Sequence, residues 1–127
     1  MTKIVIVDDE VHIRSLLQQT LEELEEDFEL DILTAQNGGE GLALIKREQP
    51  LLVFLDVMMP IMNGYDVCAA IRQDAELANT KVVMLTAKGQ EADRQRGLNA
   101  GANHFTTKPF DPDYIIELAR NILEQDQ

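Results

Sequence analysis

The sequence predicts a doubly wound α/β domain, in which a parallel sheet of five strands is covered by five helices. Two patterns carry this. Short runs rich in Val, Ile and Leu recur at 4–7, 30–33, 51–55 and 82–85, with a weaker one at 104–107. Three of the five show no apolar/polar alternation, as expected of strands covered on both faces. Between the runs, apolar residues recur at three- and four-residue spacing, so strand and helix alternate five times over.

The elements follow in order. IVIV at 4–7 is the first strand, and Ile13, Leu16, Leu17, Leu21 and Leu24 place a helix over 11–25. LDIL at 30–33 is the second strand, and Leu42, Leu44 and Ile45 mark a helix over 39–47 that stops at the Gln49-Pro50 break. LLVFL at 51–55 is the third strand; Asn63-Gly64 and Lys88-Gly89 are loop-to-helix junctions for helices over about 64–74 and 90–99. VVML at 82–85 and HFTT at 104–107 complete the strands. The last helix, 112–124, has a clear start in Asp111 as N-cap with Pro112 in the first turn. Right-handed crossovers restrict the winding, and the flavodoxin-like strand order 2-1-3-4-5 is one of two common solutions.

A chain of 127 residues is the size of one domain, and the boundaries expected are 1–127. No stretch is apolar enough to span a bilayer and MTKIVIVDDE turns acidic where a secretory signal would stay apolar, so a cytoplasmic location is expected. Cys68 is the sole cysteine, which excludes an intramolecular disulfide and a CxxC metal site; between Val67 and Ala69 it is expected in the core. The net charge of −12 argues against direct nucleic-acid binding, because phosphate repels such a surface. Much of that excess lies in ELEEDFELD at 23–31, expected to be a solvated helix end and turn.

In open α/β sheets the ligand site lies beyond the carboxyl ends of the strands, where strand order reverses. Those ends here are Asp8-Asp9-Glu10, Asp56, Thr86-Ala87 and Lys108-Pro109. Carboxylates brought together repel one another unless they share a cation. Oxygen is the only donor type on offer, so a hard ion is implied, and Mg²⁺ fits better than Ca²⁺ because there is no DxDxDG loop. With Thr86 and Lys108 the set suits phosphoryl transfer to Asp56, in which the ammonium, the hydroxyl and the metal would neutralise the oxygens of the transferred group. Neither GxxxxGK[ST] nor GxGxxG occurs, so a nucleotide is not the expected donor.

At these residues the chain resembles the response regulator receiver domains of two-component signalling, the family of the chemotaxis regulators, over about 2–124. The motifs are IVIVDDE at 4–10, LDVMMPIMNG at 55–64 with Gly64 eight residues after Asp56, VVMLTA at 82–87, AGA at 100–102 and TKPF at 107–110. The resemblance implies that Asp56 is the phosphoacceptor, Asp9 a direct Mg²⁺ ligand, Asp8 a ligand through water and the Met58 carbonyl a main-chain ligand, with Mn²⁺ able to substitute. It makes Thr86 and Lys108 the phosphoryl-contacting pair, and the Lys108-Pro109 bond cis. It implies a switch that catalyses only its own phosphotransfer and dephosphorylation, with Thr86 and Phe105 relaying the change to the face of the fourth helix, fifth strand and fifth helix. The family more often has tyrosine where Phe105 stands; Phe105 can make the packing step but has no hydroxyl to offer a readout. The implied donor is the phosphohistidine of a histidine kinase or a histidine phosphotransfer protein, and the chain would serve as a stand-alone regulator or phosphorelay adaptor. That same face leaves room for a homodimer.

Met58 and Lys88, two residues beyond Asp56 and Thr86, are in this family placed to influence how fast water removes the phosphoryl group. His12 and His104 are expected at the surface or satisfied, and Met59 and Met62 as fillers of irregular space. The competing reading is an aspartate-nucleophile phosphatase acting on an external substrate. Such an enzyme would want an acid two residues after the nucleophile, where Met58 stands. An FMN carrier would want a phosphate loop after the first strand, where acidic residues stand.

Overall fold

Strand and helix alternate along the whole chain in the computed structural model, which describes residues 1–87 and 91–126, with backbone alone over 91–93. The strands are β1 (Thr2–Val7), β2 (Leu30–Ala35), β3 (Leu52–Asp56), β4 (Lys81–Ala87) and β5 (His104–Lys108). The helices are α1 (Val11–Glu22), α2 (Gly38–Glu48), α3 (Gly64–Arg72), α4 (Glu91–Ala100) and α5 (Pro112–Gln125). All strand pairs are parallel, in the order β2-β1-β3-β4-β5. This is the flavodoxin-like arrangement that the sequence predicts. The Lys88-Gly89 junction and the Lys88 side chain lie outside the described residues.

The missing alternation in the strands has a direct cause. Successive side chains of a strand point to opposite faces, and here both faces are covered. Ile4 and Ile6 of β1 pack with Leu17, Leu21, Ile115 and Ile122 of α1 and α5. Val5 and Val7 of the same strand pack with Ile45, Val67 and Ile71 of α2 and α3. Every residue of β3 is buried, whereas the edge strand β5 buries only Thr106, which is why its run reads as the weakest. Each fully buried Leu or Ile contributes about 2 kcal/mol of apolar transfer, so the two layers fix the sheet between them.

Helix starts follow local chemistry. Asn63 accepts from the Asp66 N–H while the Asp66 carboxylate accepts from the Asn63 N–H, a reciprocal capping box that starts α3. Asp111 accepts from the Asp113 N–H at α5, and Asn37 does the same for Glu40 at α2. α1 is shorter than its periodicity predicts: it ends at Glu22 and tightens into a 3-10 turn over Glu23–Glu26. Glu22, Glu25 and Glu26 would stack like charges at helical spacing, and no basic residue stands in the last turn to compensate. Leu24 is still fully buried there, so the apolar period survives the change of helix type. Among the described residues no helix is long and apolar enough to cross a membrane.

Candidate functional site

β1 and β3 are neighbours at the point where strand order reverses, and both end in carboxylates. Asp8 follows β1, its N–H still bonded to the Ala35 carbonyl at 3.2 Å, and Asp56 is the last residue of β3. The next peptide holds Asp56 in register, since the Val57 N–H bonds the Leu85 carbonyl of β4 at 3.2 Å. The loop beyond it folds back tightly, with the Gly64 N–H on the Val57 carbonyl at 3.0 Å. A Cβ at Gly64 would stand 2.3 Å from the Asp56 carbonyl oxygen, so the glycine eight residues after Asp56 is a requirement of close backbone approach.

Lys108, at the end of β5, reaches across to both strand ends. Its Nζ lies 2.8 Å from Asp8 Oδ2, 3.0 Å from Asp56 Oδ1 and 3.5 Å from Glu10 Oε1. Asp56 Oδ1 also accepts the Met58 N–H at 3.2 Å, and Asp8 Oδ1 accepts the Glu10 N–H at 2.9 Å. Asp56 Oδ2 and Asp8 Oδ2 are buried and accept no aligned hydrogen bond from the described residues, so the Asp8 to Lys108 approach is an ionic contact. The Lys108-Pro109 bond is cis.

One ammonium does not neutralise this many carboxylates. Burial first, and then the charge of Asp8, push the Asp56 carboxyl up to about 6; Lys108 opposes the rise, and Asp9, within hydrogen-bonding reach, adds to it. Burial alone would pull the Lys108 ammonium down, but Asp8 and Asp56 outweigh it and the net direction is up. Asp8, Asp9 and Glu10 each bring a carboxylate oxygen within 4.8 Å of the others. Oxygen donors, excess negative charge and a buried Asp56 oxygen without a donor suit a hard divalent cation.

Asp8, Asp9, Asp56 and Lys108 therefore converge. Thr86 lies one residue past the β4 partner of Asp56; it is buried, and its hydroxyl donates to the Thr106 carbonyl at 3.5 Å, the limit of a hydrogen bond. The Met58 side chain is exposed beside the site, while Met59 is buried. The Phe105 ring packs at Gly97 of α4, where a Cβ would come 2.4 Å from the ring, and Arg94 lies 5.4 Å over its centroid. His12 is exposed, with Nε2 3.4 Å from Glu10 Oε2. Glu10 is named from the sequence as part of the first strand's acidic end but is given no role there; the structure places it against both Lys108 and the acidic pair.

The family model for the response regulator receiver domain matches residues 4–120. The chain belongs to that family. As a receiver domain of two-component systems it is 39% identical over 123 residues to the probable transcriptional regulator ycf27 of Porphyra purpurea, covering 97% of this chain and 48% of that protein. It is 39% identical over 125 residues to the alkaline phosphatase synthesis transcriptional regulatory protein PhoP of Bacillus subtilis, covering 98% of this chain and 50% of that protein. The receiver chain thus spans about half the length of the curated relatives it matches. It also superimposes on the chemotaxis protein CheY4 of Vibrio cholerae with a TM-score of 0.82 at 30% identity, covering 96% of this chain and 98% of that one.

Proposed function

We propose that this receiver domain is a phosphorylation switch in which Asp56 accepts a phosphoryl group from the phosphohistidine of a histidine kinase or phosphotransfer protein. The observation that carries the proposal is the buried Asp56 carboxylate, held by Lys108 and the Met58 N–H with one oxygen left without a donor among the described residues. In the transfer an ionised Asp56 oxygen forms the new P–O bond while the P–N bond to the donor imidazole breaks, the imidazole leaving with the electron pair and taking a proton. The product is an acyl phosphate. Lys108 lies where its ammonium would meet the oxygens of the incoming group, and the Thr86 hydroxyl would turn from its long contact with Thr106 to donate to one of them. Asp9, Asp56 and the Met58 carbonyl would hold Mg²⁺ directly and Asp8 through water, and the ion when bound supplies positive charge to the phosphoryl oxygens.

Movement of Thr86 would change the space beside β5, and the Phe105 ring would respond, altering the surface of α4, β5 and α5 through which a downstream protein or a second copy would be engaged. Incubation with a small phosphodonor and Mg²⁺, followed by intact mass and size-exclusion chromatography of wild type and Asp56→Asn, tests this. A single phosphoryl adduct lost in the Asn variant is expected; an adduct that persists sinks the assignment. Release of phosphate over many turnovers would instead make the chain a phosphatase.

A further inference from the structure

The peptide between Asp8 and Asp9 is held from outside the sheet. Its carbonyl has left the β1 ladder, and Arg14 of α1 reaches back six residues to donate Nη1 to it at 2.6 Å. The backbone of Arg14 is itself fixed, its N–H bonded to the Glu10 carbonyl at 3.2 Å. On the other side of the turn Asp8 Oδ1 takes the Glu10 N–H, so two contacts bracket Asp9. A peptide unit is planar, and rotating the Asp8 carbonyl therefore swings the Asp9 N–H and, with it, the direction in which Asp9 leaves the chain. Asp9 is exposed, and its placement beside Asp8 and Asp56 is inherited from that backbone.

We propose that Arg14 is a positioning residue for the acidic cation site: its guanidinium fixes the Asp8–Asp9 peptide and so presents the Asp9 carboxylate toward Asp8 and Asp56. A charged donor is suited to this, being roughly twice as strong as a neutral one. Lysine would keep the charge but not the planar fork that sets the direction of the bond. The inference rests on the switch reading for the identity of the cation, and on the Arg14 contact for the rest.

The test is a calorimetric titration of Mg²⁺ into wild type, Arg14→Met, Arg14→Lys and Asp111→Ala, with thermal midpoints and amide spectra of the cation-free proteins. Asp111→Ala removes the α5 cap and reports what general loss of stability does to binding. Arg14→Met is expected to weaken Mg²⁺ binding about tenfold, the usual effect of losing a group that orients a ligand, with Arg14→Lys restoring at most part of it. The Asp9 and Glu10 amide signals should move in the Arg14 variants without added cation, and not in Asp111→Ala. Unchanged Mg²⁺ affinity in Arg14→Met, or an equal loss in Asp111→Ala, overturns the proposal and reduces Arg14 to a fastener of α1. If Arg14→Met does not fold, Arg14→Lys decides: wild-type affinity and wild-type Asp9 signals overturn it. A wild type that takes no phosphoryl group on Asp56 overturns the switch reading instead, and is read in a separate experiment.

Discussion

Replacing Asp56 by Asn should stabilise the cation-free protein, and only above mildly acidic pH. Burial and the neighbouring Asp8 raise the Asp56 carboxyl from 3.8 to about 6, so between these values the folded state holds a proton that the unfolded state has released. Stability from this group is thus fully present below about pH 4, falls as pH rises through the window and is flat above about pH 6. The rise is about two units, and at about 1.4 kcal/mol per unit it amounts to about 3 kcal/mol. Asn cannot ionise and escapes that loss. In EDTA at pH 8 the variant should melt on the order of 10 °C above wild type, and the gap should close toward pH 4. Mg²⁺ should then raise the wild-type midpoint more than that of the variant, because it binds the ionised site. Thermal melts at several pH values, with and without Mg²⁺, measure all of this. A gap that does not change with pH, or an Asn variant less stable than wild type at pH 8 in EDTA, would refute the idea that repulsion at the site dominates.

Three further outcomes follow from the geometry. Gly64→Ala should destabilise the fold by about 2 kcal/mol or more, since its Cβ would meet the Asp56 carbonyl oxygen at 2.3 Å; a melt within error of wild type would show that the loop yields. Ile61 is fully exposed at φ 68°, a left-handed conformation unfavourable for a β-branched residue, so Ile61→Asn should stabilise by about 1 kcal/mol in denaturant titration. The Cys68 thiol is fully buried and burial pushes it up to about 11, so a thiol reagent at pH 8 should label it only as fast as the protein opens; labelling at the rate of the unfolded chain would refute its burial.

The strand order and both core layers were legible because continuous apolar runs and helical periodicity are direct imprints of burial. The helix starts at Asn63 and Asp111 were legible for the same local reason, since a cap satisfies N–H groups two or three residues away. The end of α1 was not, because period alone does not register that Glu22, Glu25 and Glu26 crowd one another. At the site, the residues at strand ends could be found because topology brings such ends together. Arg14 carried no comparable signal: what places it is the direction of one carbonyl, that of Asp8. The packing of Phe105 on Gly97 joins residues on different elements, a pairing that only the folded chain shows.

That packing has a consequence for how a signal would leave the domain. Among its described residues α4 has no apolar stripe: Arg94, Gln95, Arg96 and Asn99 are exposed, Leu98 is 47% exposed, and Gly97 alone is buried. A helix so polar has few fastenings among its described residues: the Phe105 ring and the Met84 sulfur against Gly97, Arg96 4.2 Å over the Tyr65 ring, and the half-buried Ala100, with the Phe105 ring the one that belongs to β5. Turning that ring would loosen a clasp more than it would move a lever, so a partner could sense how firmly α4 is seated without any hydroxyl at position 105.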